Sequence, residues 1–209
     1  MTVDELESAI RETIAETAQG EKRATRLVLL EILIRLRPDT GFYRLSYAES
    51  LRMVGRCREA EEAYLTVTED ALSEDARFLL PLDLGRLYRD TGDYARAEAC
   101  FSRSVELAPW STVPFVHLGG LLRMQGRLSE ARAVLERGMN ASGDVDEVLL
   151  NLGHCFRGLN QLQEARRCYR KALSLTPDYS EAQVALEDVE LAARTQVDFD
   201  AMLLSVKEQ

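Results

Sequence analysis

Gly85, Gly119 and Gly153 stand 34 residues apart, and each begins the same run of apolar, small and aromatic residues. A chain that repeats at this period is confined to stacking copies of one short helical hairpin, because no single copy buries its apolar face alone. Leu84-Gly85, Leu118-Gly119 and Leu152-Gly153 are followed at fixed offsets by Tyr88, Leu122 and Phe156, then by Gly92, Gly126 and Asn160. Ala97, Ala131 and Ala165 come next, then Phe101, Leu135 and Tyr169, and the units close on Pro109, Gly143 and Pro177. A helical glycine costs about 1 kcal/mol relative to alanine, so three in one phase require a packing reason. The expected reason is a close approach of Gly85, Gly119 and Gly153 to Ala97, Ala131 and Ala165 across each hairpin, with the aromatic and leucine columns filling the space between hairpins. Gly92, Gly126 and Asn160 fall where a first helix ends in a left-handed residue, and Pro109 and Pro177 stop the second helix.

The segments LGRLYRDTGDYARAEACFSRSVELAP and LGHCFRGLNQLQEARRCYRKALSLTP resemble tetratricopeptide repeats in nearly every signature column. The resemblance implies an all-α, right-handed superhelical solenoid of helix-turn-helix hairpins that binds other proteins rather than catalysing. Upstream, Ala48, Leu51, Gly55, Ala60 and Tyr64 reproduce the columns at an offset of 37, which places a three-residue insertion within residues 66–74. Pro38 lies 71 residues before Pro109, so a degenerate hairpin is expected ahead of it, with Ile14 and Arg26 where Gly and Ala belong. The resulting single domain, 1–209, comprises a degenerate hairpin (4–40), four repeats (41–77, 78–111, 112–145, 146–179), a capping helix (180–195) and a tail (196–209).

The net charge of −9 argues against nucleic acid or an anionic membrane as the main partner, since both select basic surfaces. MTVDELES is acidic and lacks an apolar core, and the apolar run Leu27 to Leu36 is broken by Glu31 and Arg35. A cytoplasmic protein is therefore expected. Cys57, Cys100, Cys155 and Cys168 show no zinc spacing and read as reduced structural thiols.

Candidate chemistry is sparse. The two histidines, His117 and His154, fall on first helices of adjacent repeats, and Cys155 points about 100° away from His154 on its helix. They read as groove or packing residues, and neither an enzyme nor a metal or cofactor is expected.

The stronger signal is an arginine in one column of all four well-formed repeats: Arg52, Arg89, Arg123 and Arg157. Seven residues earlier runs an apolar column of Leu45, Leu82, Val116 and Leu150. Helical periodicity sets both columns on one face, and the resemblance implies that this face lines the concave groove. With first helices about 10 Å apart, the four arginines would span about 30 Å, the length of about nine extended residues. The expected ligand is an acidic, partly apolar peptide in a groove that also holds His117, Asn151 and His154, with Gly120 and Gly158 leaving room for a bulky side chain. The alternative reading pairs the arginines with local acids such as Glu49, Asp83 and Asp90, and a second places self-association at the apolar N-terminal hairpin. The clamp that repeats of this family use on chaperone carboxylates needs Lys and Asn where this chain has Leu45, Glu49, Leu82 and Arg86; only Asn151 fits. The tail 197–209, with Asp198, Phe199 and Asp200, is a candidate occupant of the groove of its own or a neighbouring molecule.

Overall fold

The computed structural model describes residues 2–17 and 23–207, and the side chains within them except those of 16, 17 and 198–207. Among the described residues there are eleven α-helices and no strand. The chain divides into two compact units, Met1–Leu107 and Ala108–Gln209.

The first unit holds three hairpins: α1 (Val3–Thr17) with α2 (Arg23–Leu36), α3 (Gly41–Met53) with α4 (Cys57–Leu65), and α5 (Leu79–Asp90) with α6 (Tyr94–Leu107). Leu45, Ala48, Leu51, Ala60, Tyr64 and Leu87 form its central core, and Ile10, Leu30, Leu33 and Tyr43 a second one beneath the N-terminal hairpin. Arg26, which replaces the expected alanine, turns its Nε to the Ser50 hydroxyl at 3.1 Å, tying α2 to α3 by a polar contact instead of close packing. Between α4 and α5 the chain makes two single 3-10 turns, Glu69–Ala71 and Glu74–Ala76, and buries Val67 and Leu72. The three extra residues thus lie in a connection that is itself packed.

The second unit holds α7 (Thr112–Met124) with α8 (Leu128–Gly138), α9 (Val145–Gly158) with α10 (Leu162–Leu175), and a final helix α11 (Ser180–Lys207). Ala182, Ala185 and Val189 of α11 close a core with Leu149, Leu150, Ala165, Tyr169 and Ala172. The backbone of 196–207 continues α11, where a separate tail was expected. Phe199, Met202, Leu203, Leu204 and Val206 fall among the side chains outside the description.

Each well-formed first helix ends alike. Gly55, Gly92, Gly126 and Asn160 have φ of +80, +83, +76 and +57°. The N–H of each bonds back to the arginine carbonyl three residues earlier, and the next N–H reaches the carbonyl of Leu51, Tyr88, Leu122 or Phe156. These paired bonds satisfy carbonyls that a helix end leaves open, and they set the angle at which the second helix starts.

The glycine column packs differently from the expectation. A Cβ at Gly85 would lie 2.6 Å from the Phe101 ring, and one at Gly119 2.6 Å from Leu135 Cγ; at Gly153 it would strike the Tyr169 ring. The large residues of the second helices therefore sit over the glycines of their own hairpins. Side chains lean toward the helix N-terminus, which carries Phe101 back across the pair, and Ala97 and Phe101 are both fully buried.

Candidate functional site

The arginine column occupies the last turn of α3, α5, α7 and α9. Cationic side chains there complement the negative end of the helix dipole, typically by about 0.3–1 kcal/mol, so the column has a structural use independent of any ligand.

In the first unit these arginines are engaged. Arg52 lays its fork on Glu49, with Nε to Oε2 at 2.7 Å and Nη2 to Oε1 at 2.8 Å, and also meets Asp90 of α5; its side chain is 12% exposed. Arg89 bonds Asp90 at 3.1 and 3.2 Å. Arg86 lies 3.3 Å from Asp83 and 3.5 Å from Glu49, and the Tyr64 hydroxyl donates to Glu49 at 3.1 Å. Burial is the largest influence on the Glu49 carboxyl and would raise it, but Arg52 and Arg86 outweigh it and hold it below its ordinary range. Asp83 is more deeply enclosed: burial, followed by the charge of Glu49, pushes it up to about 6 despite Arg86.

The second unit is built differently. The column that supplies Glu49 and Arg86 on α3 and α5 supplies Gly120 and His154 on α7 and α9, and the column of Asp83 supplies His117 and Asn151. Arg123 has no carboxylate within ion-pairing distance among the described residues, and its Nε is buried without a hydrogen-bond partner. Arg157, 43% exposed, pairs with Asp188 of α11 at 2.6 Å. His154 Nδ1 is 2.9 Å from the Tyr169 hydroxyl, and the rings meet edge to face. Burial first, then the charges of Arg123 and Arg157, lower His154 to about 4, so it is neutral near pH 7. Asn151 turns its amide to the Glu147 carbonyl one turn back, and His117 is half-buried.

The apolar half of the expected site is corrected. Leu45, Leu82 and Leu150 are each 3% exposed and Val116 8%, so the column offers a ligand almost no surface. Leu45 and Leu150 belong to the cores described above, because neighbouring helices stack over a face that periodicity alone leaves open. Gly120 does open onto free space, but the room expected at Gly158 is occupied by Leu128, whose Cδ1 would lie 2.7 Å from an added Cβ. Tyr64, Tyr169 and Asp188 join the charged face unforeseen. The acid three residues before Arg52 was readable as its partner, whereas Arg157, with His154 at that place, takes its acid from another helix.

No three or more His, Cys, Asp or Glu side chains converge as for a metal among the described residues, and none of their helices is long and apolar enough to cross a membrane. Burial, the first cause in each case, pushes the Cys155 and Cys168 thiols up to about 11.

Tetratricopeptide repeat family models match residues 146–179, and 48–109 and 82–144. No curated protein matches the chain. Among solved structures, a chain of the APC/C hetero-tetramer Cut9-Hcn1 superposes with a TM-score of 0.67 at 18% identity over 82% of this chain. The chain spans only 34% of that larger one. TTC0263, a thermophilic TPR protein of Thermus thermophilus, matches with a TM-score of 0.65 at 17% identity, covering 88% of this chain and 99% of its own. The first TPR of Spaghetti (RPAP3), bound to the HSP90 peptide SRMEEVD, matches with a TM-score of 0.54 at 19% identity over 57% of this chain and 95% of its own. At these identities the likeness is one of fold.

Proposed function

From a chain that belongs to the tetratricopeptide repeat family, we propose a protein-interaction scaffold whose first-helix face takes an acidic peptide segment, with the anion-recognising part in residues 108–209. Repeats of this family are typically interaction modules without catalysis, and one structurally similar domain holds a peptide with two glutamates and an aspartate. The observation that carries the acidic preference is Arg123, a last-turn arginine with a buried Nε and no internal carboxylate among the described residues. In the first unit the equivalent charge is already neutralised by Glu49 and Asp90, so those arginines contribute shape more than attraction. The buried aliphatic column removes the apolar strip from this reading, leaving charge as the main source of selectivity.

The test is a peptide-array and pull-down comparison of the wild type with an Arg123→Glu, Arg157→Glu variant. Acidic peptides should be lost from the variant, and an unchanged set of captured partners overturns the assignment. A second reading, self-association, is favoured by Val28 and Phe42, 56% and 53% exposed on the N-terminal hairpin and its neighbour. Light scattering that finds a strict monomer across the working concentration range removes it.

A further inference from the structure

Two repeats differ at one position in a way that leaves open space one turn before an arginine. On α3, Glu49 stands three residues before Arg52 and takes both arms of its fork at 2.7 and 2.8 Å. On α7, Gly120 stands three residues before Arg123, and a Cβ built there would meet nothing within 4 Å. The guanidinium beside this notch lacks a carboxylate among the described residues, and its Nε is buried and unbonded. On α9 the arginine of the same column, Arg157, already has a carboxylate partner, Asp188 of α11, at 2.6 Å. His154, also on α9, is engaged by Tyr169 at 2.9 Å and brings no negative charge. Arg123 is therefore an uncompensated cation, among the described residues, one turn from an open position, and α3 shows what occupies the equivalent position when an acid is present.

We propose that the notch over Gly120 seats a single carboxylate, an Asp or Glu side chain of the bound partner segment, which pairs in trans with the Arg123 guanidinium as Glu49 pairs in cis with Arg52. This rests on the acidic-peptide reading above and makes Gly120 a specificity-determining position. A carboxylate is the matching anion because Glu49 fills the equivalent position on α3 and a guanidinium donates to two coplanar carboxylate oxygens.

The experiment uses the full chain and a blocked peptide of about nine residues with Glu at every third position and Leu between. Wild type should bind, Gly120→Ala should bind within about two-fold, and Gly120→Glu, which supplies the carboxylate in cis, should weaken binding about ten-fold or more. Its melting temperature should be equal to or above that of wild type, since an open helical glycine is replaced. Exchanging each peptide Glu for Gln in turn should reveal one position that matters to wild type and no longer matters to Gly120→Glu. Equal affinity of wild type and Gly120→Glu overturns the notch and leaves the groove reading standing. Equal losses in Gly120→Ala and Gly120→Glu overturn it in favour of bulk alone, and tighter binding when phosphoserine replaces the critical Glu overturns it in favour of a phosphate site. If wild type binds none of these peptides, the acidic-peptide reading fails and the notch with it.

Discussion

His154 shows how a side chain with no evident chemistry becomes informative through its neighbours. Its ring is enclosed, bonded to Tyr169 and faced by Arg123 and Arg157, so its proton affinity falls to about 4 from an ordinary 6.5. A histidine whose folded value is depressed binds its proton more readily in the unfolded chain. Its stabilising contribution is complete above pH 6.5 and is lost as the pH falls toward 4. Arg123→Met should move the His154 titration upward when followed by NMR and flatten the fall in melting temperature over that window. An unmoved titration would mean that Arg123 has no part in setting it. The glycine column shows the same dependence on neighbours: Gly85, Gly119 and Gly153 are legible as close contacts from their phase, whereas the partners, Phe101, Leu135 and Tyr169, follow from side-chain direction across the pair.

Between elements, α3 and α5 are joined by Glu49, Arg52, Asp83, Arg86 and Asp90 as well as by apolar packing. The arrangement is not uniformly favourable, because Asp83 is held at about 6, above its ordinary 3.8, by burial and by Glu49. An acid whose folded value is raised favours the fold below pH 3.8, and that contribution disappears as the pH rises through 6. Ionised Asp83 therefore costs on the order of 3 kcal/mol at neutral pH. Asp83→Asn should be as stable as wild type or more stable in urea unfolding at about pH 7.5, and should lose that relative advantage at about pH 4. A variant equally destabilised at both pH values would show that the Arg86 contact outweighs the burial penalty. The helix ends joining these elements need no such balance. Gly92, Gly126 and Asn160 were readable as left-handed caps because capping is decided within a few residues of chain.

At the scale of the whole molecule, repeat proteins must cover their last apolar face, and here α11 does so with Ala182, Ala185 and Val189 against Leu149, Tyr169 and Ala172. Truncation after Asp178 removes that cover and the Asp188 partner of Arg157 together. The truncated chain should aggregate or melt about 10 °C lower, and an unchanged melting curve would show that the last hairpin needs no cap.

The amino-acid sequence by itself determined the helical hairpins, their period, the insertion before α5 and the places where helices turn. Each of these rests on interactions between residues close along the chain, so spacing and residue type suffice to read them. Only the tertiary structure decided that Leu45, Leu82, Val116 and Leu150 are core and not groove, that Arg52 and Arg157 are held by acids from other helices, and that Arg123 meets none among the described residues. Burial and ion pairing depend on which helix faces another at contact distance, and in this chain they separate four arginines that share one column.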